Sequence, residues 1–310
     1  MRPPRKVQEI LGHVLHERTS GHRNQPAVPV EPGPGPVPAC PPGWRTGPPD
    51  FVGVGIKKAG TSWWHDLISA HPQVHPRTPV RPGARPPRAK ELHFFDVQWG
   101  TPFDRADADR YHRYFPRPPG LLVGEWTPRY MIDCWAPAQL RLAAPDAKLL
   151  VLLRDPIERF RSGITHYEFM HQRIDHPRVV VEEVEYGRYA TALARLARSY
   201  PREQVLVLQY ERCVRDPKGE LERTYRFLGL DPDVAANALA GARSAGGARK
   251  VEVPDGLRAQ LHAEYEPEVR RLLAEWPDAV DVNLWPDFAH LAAVFRTSEP
   301  GASPRPRRAN

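Results

Sequence analysis

The chain has 310 residues, 41% hydrophobic and 26% charged, the balance of a soluble globular protein long enough for one large core. Its formal charge of +7 does not mark a nucleic-acid binder: residues 1–50 carry 6 Lys/Arg against 4 Asp/Glu and residues 296–310 carry 4 against 1, which leaves about +2 on the body between them. No run approaches the roughly 20 apolar residues that span a bilayer, and no secretory leader is visible, so a soluble, cytoplasmic protein is expected.

Taken in chain order, Val7, Ile10, Leu11, Val14 and Leu15 repeat at helical spacing. They predict either a surface helix on its own domain or an amphipathic helix for a partner or a membrane surface. Residues 1–50 hold 12 of the 37 prolines and read as an extended lead-in. Strands are predicted near 51–55, 121–125, 148–153 and 205–208. Helices are predicted near 61–70, 136–143, 156–171, 182–199, 216–228 and 255–275. This alternation predicts an α/β fold, a central parallel sheet flanked by helices, in one domain over 51–288 followed by a basic tail at 289–310. Cys40, Cys134 and Cys213 are widely spaced, without ligand or redox spacing, which argues for a reducing interior and against structural zinc.

Two strand ends carry the chemistry. After Phe51–Gly55, the segment Gly55-Ile56-Lys57-Lys58-Ala59-Gly60-Thr61-Ser62 has the G-x-x-x-x-G form of a phosphate loop, but Thr61 stands where a Walker lysine belongs. A strand, a short loop and a helix N-terminus aim N–H groups at one point, and Lys58 adds an ammonium from inside the loop. The run Leu149–Leu153 reads as a strand buried on both faces, with Arg154 at its end. Asp155, Pro156 and Glu158 then have the form of a capping box, and Ser162 lies about two turns into the helix.

Together these segments resemble the sulfotransferases that use 3'-phosphoadenosine 5'-phosphosulfate (PAPS), and particularly their heparan sulfate O-sulfotransferase branch. Three further stretches carry the likeness: Lys90-Glu91-Leu92-His93-Phe94-Phe95-Asp96, Gly124-Glu125-Trp126-Thr127-Pro128, and Tyr210-Glu211-Arg212 leading into Asp216-Pro217 and Phe227-Leu228-Gly229-Leu230. The resemblance implies a P-loop-like three-layer sandwich and a PAPS donor with no metal. In it Lys58, Ala59, Gly60, Thr61 and Ser62 hold the 5'-phosphosulfate, and Arg154 and Ser162 hold the 3'-phosphate. Arg249 and Lys250 match a basic loop over the nucleotide, with a solvated loop as the alternative. Glu91 is the implied base for the acceptor, with His93 orienting it and Asp96 as a possible further partner; which of Glu91 and His93 takes the proton stays open.

One departure bears on the acceptor, because the family's Gly-Glu-Lys-Thr-Pro has Trp126 in place of lysine. Trp126 is expected either to stack on a sugar or aromatic acceptor or to pack in the core. Lys90, with Arg85 and Arg88 of the arginine-rich stretch before it, completes the expected acceptor contacts. The reaction implied is sulfuryl transfer to a hydroxyl, or as second choice an amine, of a small glycan, glycosylated or aromatic metabolite. No nucleic-acid partner is expected, and oligomeric state is left open. A P-loop kinase or hydrolase is disfavoured because Thr61 replaces the Walker lysine and Arg154 precedes the only Walker-B-like aspartate, Asp155. A second alternative is a noncatalytic nucleotide-binding or partner-docking protein, against which Lys58 and Glu91 argue and which measured turnover would settle.

Overall fold

The computed structural model describes residues 34–77, 90–100, 102–171, 177–240 and 251–296. The helix expected around residues 7–15, Arg85, Arg88, Arg249 and Lys250 lie outside them. The strands are β1 (Phe51–Gly55), β2 (Gly124–Trp126), β3 (Lys148–Leu153) and β4 (Val205–Gln209), and they form a parallel sheet in the order β2-β1-β3-β4. Gly53 pairs with Leu150 and Trp126, and Leu153 with Gln209. From β1 the chain crosses to β2 on one side and then to β3 on the other. The loops after β1 and β3 therefore meet at the carboxyl edge, where open α/β sheets hold ligands.

Helices α1 (Thr61–Ser69), α2 (Arg105–His112), α3 (Ala136–Ala143) and α4 (Pro156–His171) follow the first three strands. The helical pattern predicted over 182–199 divides into α5 (Pro177–Glu185) and α6 (Tyr189–Ala197). The break falls at Gly187, where a Cβ would come 2.5 Å from the Tyr265 ring. After β4, α7 (Tyr210–Arg215) precedes α8 (Pro217–Leu228), which starts where predicted because Asp216 accepts from Gly219 N and Pro217 occupies the first turn. Helices α9 (Ala235–Ala240), α10 (Asp255–Glu275) and α11 (Leu291–Arg296) complete the described chain. Alternation alone did not disclose α2, α7, α9 or α11, because α2 has only Ala106, Ala108 and Tyr111 among its charged residues and the other three are six residues long.

The β1 and β3 residues are buried on both faces, as the unbroken apolar run in β3 requires. Packing continues beyond both ends of the predicted domain. Arg45 bridges Arg117, Asp50 accepts from Val123 N at 2.8 Å, and Leu291 is fully buried. Among the described residues no helix is long and apolar enough to cross a membrane.

Candidate active site

The β1–α1 loop has a local reason for its shape. Gly60 caps α1 in the left-handed region at φ 94°, with no side chain bonded to the first-turn N–H groups. A Cβ there would sit 2.8 Å from the Tyr210 ring. The open helix start leaves Thr61, Ser62 and Trp63 N–H groups for an anion. Lys58, one residue before Ala59, also takes a left-handed backbone at φ 69°. Burial, with Lys57 and Arg154 adding to it, lowers the Lys58 pKa below the ordinary lysine range. Lys57 turns away to Glu183 at 3.1 Å, so the two adjacent lysines part.

Arg154, at the end of β3, donates to the Lys58 carbonyl at 3.2 Å and lies over the Tyr210 ring, 4.7 Å from its centroid. The two predicted halves of the donor site are thus in contact. Ser162 is half-buried on α4. Asp155 caps that helix, accepting from Ile157 N and Glu158 N at 2.9 and 3.0 Å. Its own N–H goes to Glu211 at 3.0 Å, which takes the reciprocal part that the sequence pattern assigned to Glu158. Tyr210 and Glu211 are support residues that sequence reasoning placed only as part of a family stretch.

The predicted base segment is built on the end of β2. Glu125, fully buried, accepts from Leu92 N (3.0 Å), Thr127 Oγ1 (2.6 Å), Tyr111 OH (2.8 Å) and Tyr130 OH (3.1 Å). Thr127 Oγ1 in turn accepts from His93 N at 3.2 Å, and Tyr130 OH from Phe94 N at 2.9 Å. Residues 91–93 are not a strand: His93 has φ 54° and leads into a turn. Glu91 and His93 meet through that turn. Lys58 and His93 are the two non-glycine residues with positive φ among those described, each costing roughly 1–3 kcal/mol that the surrounding bonds must offset.

At the centre, Lys90 Nζ is 1% exposed and bonds Glu91 Oε1, Thr61 Oγ1 at 3.4 Å and the Trp126 carbonyl at 3.3 Å. It therefore does not point outward to an acceptor, and an ammonium reaches Thr61 from a different segment than in a Walker loop. His93 Nε2 lies 3.1 Å from Glu91 Oε2 and Nδ1 2.7 Å from Asp96 Oδ2. With a carboxylate at each nitrogen both must donate, so the ring is an imidazolium. Burial opposes that charge, but the Asp96 and Glu91 bonds raise the pKa to about 10. Burial likewise pushes Glu91 up, and Lys90 and His93 override it, holding the carboxyl at about 2. Glu91 is the most exposed of the three, at 29% against 12% for His93, and so is the member that can meet an acceptor.

Trp126 is fully buried, its indole N–H on the Gly55 carbonyl at 3.0 Å and its ring where a Gly53 Cβ would be. The packing alternative is the one this position supports. The lysine-to-tryptophan departure fills the space under β1 instead of lining the cleft.

His93 provides a direct test of this electrostatic arrangement. Its raised pKa gives stability that is complete below the ordinary value of 6.5 and is lost as pH rises from there through about 10. The His93 ring carbons should keep imidazolium NMR shifts between about pH 6 and 9, and the unfolding free energy should fall across that range, less so in His93→Gln. A ring that titrates near its ordinary value would refute the arrangement.

Residues 48–240 match the family model described as the sulfotransferase domain. The chain is 29% identical over 252 residues to heparan sulfate glucosamine 3-O-sulfotransferase 3B1 of Homo sapiens, covering 74% of this chain and 60% of that protein. It is also 29% identical over 287 residues to heparan sulfate glucosamine 3-O-sulfotransferase 6 of Homo sapiens, covering 82% and 77% respectively. The chain spans about 60% of the length of the 3B1 enzyme and of heparan sulfate glucosamine 3-O-sulfotransferase 3A1 of Homo sapiens, to which it is likewise 29% identical over 252 residues. Among solved structures it is similar to a sulfotransferase from Alicyclobacillus acidocaldarius, at 26% identity and a TM-score of 0.59, covering 77% of this chain and 98% of that one.

Proposed function

The chain belongs to the sulfotransferase domain family, and on that premise we propose that it is an enzyme moving a sulfuryl group from PAPS to a hydroxyl of a small glycan or glycosylated metabolite. The acceptor oxygen forms a bond to sulfur as the bond from sulfur to the nucleotide's phosphate oxygen breaks. The hydroxyl proton goes to Glu91, and 3'-phosphoadenosine 5'-phosphate leaves. The observation that carries this reading is the Lys90 ammonium, which touches both Thr61 at the donor-loop helix and the Glu91 carboxylate. A hydroxyl activated at Glu91 is thereby adjacent to a donor held at the start of α1.

The residues fit such a donor. The α1 N-terminus is uncapped, Lys58 supplies a cation beside it, and Arg154 is fixed at the neighbouring strand end. Lys58 would stabilise charge that develops on the departing phosphate oxygen. Arg154 and Ser162 would read the 3'-phosphate. The acceptor we favour is less acidic than heparan sulfate, because Trp126 is neutral and buried and Lys90 is engaged inward with Glu91 and Thr61.

Calorimetry of the nucleotide product tests the donor half. 3'-Phosphoadenosine 5'-phosphate should bind without divalent metal and far more tightly than ADP, and Arg154→Ala should weaken it by roughly 1.5–3 kcal/mol, the scale of a charge-assisted contact. Equal affinity for the two nucleotides would remove the assignment. The acceptor half is tested by incubating protein and PAPS with a panel of oligosaccharides and glycosides and reading the mass gain of one sulfuryl group.

A further inference from the structure

Away from the sulfuryl-transfer site, we propose that His262, Glu266 and His290 form a binding site for one divalent transition ion of the zinc or nickel class, which clips α10 to the segment after it. His262 and Glu266 lie one turn apart on α10, so they share a face, and His290 reaches them from the turn before α11. One ligand atom from each residue falls in a group whose members are all within 4.8 Å of one another. His262 Nδ1 is 3.5 Å from Glu266 Oε2, and His290 Nε2 is 3.7 Å from Glu266 Oε1.

The surroundings set these groups up as ligands. His262 Nε2 is 3.0 Å from the Asp287 carbonyl, a bond the ring can make only as donor. The lone pair of the neutral ring is then on Nδ1, facing Glu266, which is how outer bonds fix metal-binding histidines. The His262 ring stacks on Phe288 at 5.1 Å and on His290 at 5.6 Å, which holds its plane. Arg270 binds Glu266 Oε1 with two nitrogens at 3.0 and 2.6 Å, leaving Oε2 toward His262. The other nearby cation, Arg258, is matched by Asp287 at 2.6 Å. Two imidazoles and one carboxylate oxygen suit zinc, nickel or cobalt and not magnesium, and the half-exposed side of His290 admits water as a further ligand.

The position gives the ion a structural role. Trp285, at the start of the clipped segment, donates to Glu211 at 2.9 Å, and Glu211 accepts from Asp155 N beside Arg154. An ion at this site would therefore secure the segment that backs the donor-site strand end, without touching the reaction. The three residues are 24 and 4 positions apart, a spacing that no ligand motif marks in the sequence.

Full-length protein stripped with EDTA should take up about one equivalent of Zn²⁺ in calorimetry near pH 7.5, and Mg²⁺ should give no heat. Zn²⁺ should raise the unfolding midpoint by several degrees. His290→Ala and Glu266→Gln should each weaken Zn²⁺ by at least about tenfold and abolish the midpoint shift. Because Glu266→Gln also frees Arg270, the exposed His290→Ala variant separates ligand loss from damage to the fold. Zn²⁺ binding at full strength in His290→Ala would place the ion on other histidines and overturn the proposal, as would wild-type protein that binds none.

Discussion

Glu91→Gln is expected to lower sulfuryl transfer to an alcohol by about 100-fold or more while nucleotide affinity stays near wild type. The amide keeps the shape but cannot take the acceptor's proton. A carboxyl held at about 2 is a weak base toward a free alcohol. It becomes adequate late in the reaction, because an oxygen already bonding to sulfur is strongly acidic and gives up its proton readily. Lys90 and His93 therefore serve to keep Glu91 ionised and aimed rather than strongly basic. The loss should shrink for phenols, which need less help in losing a proton. Glu91→Gln also leaves the buried Lys90 without its carboxylate, so thermal unfolding must accompany the kinetics to show that the variant is folded. Full activity in Glu91→Gln together with a dead His93→Ala would move the base to His93. The imidazolium between two carboxylates argues for the opposite outcome, since its nitrogens already carry both protons.

What was legible in the sequence was local. The apolar run of β3 announces a strand buried on both faces, and Asp155-Pro156 announces the start of α4, since both signals lie within a few residues of what they determine. The loop around Lys58 was legible for the same reason. Contacts between distant segments were not. Nothing near Lys90 indicates that its ammonium turns inward to Thr61, 29 residues earlier, or that Glu125 secures the backbone of Leu92 from β2. Trp126 could be read as a stacking platform or as core, and only the space left by Gly53 decides for the core. The even helical pattern over 182–199 concealed a break, because the clash that shapes Gly187 comes from Tyr265 on α10, far away in sequence.

Lys58→Ala should reduce kcat by about 100- to 1,000-fold, the scale of removing one preorganised charge from a developing anion, with a smaller change in the KM for PAPS. The backbone supports this split between turnover and affinity. Arg154 anchors the Lys58 carbonyl rather than its ammonium, so the loop keeps its shape when the side chain is cut back. Burial, and after it the neighbouring charges of Lys57 and Arg154, lowers the pKa of the ammonium. A cation held in such surroundings gains most when negative charge builds beside it, which happens in the transition state more than in the bound donor. Lys57→Ala is the control: its ammonium belongs to Glu183 and the Tyr186 ring, so it should cost stability and leave kcat close to wild type. An unchanged kcat with a raised KM in Lys58→Ala would reduce Lys58 to a binding residue. A turnover loss confined to Lys57→Ala would mean that the neighbouring lysine, not Lys58, faces the departing phosphate.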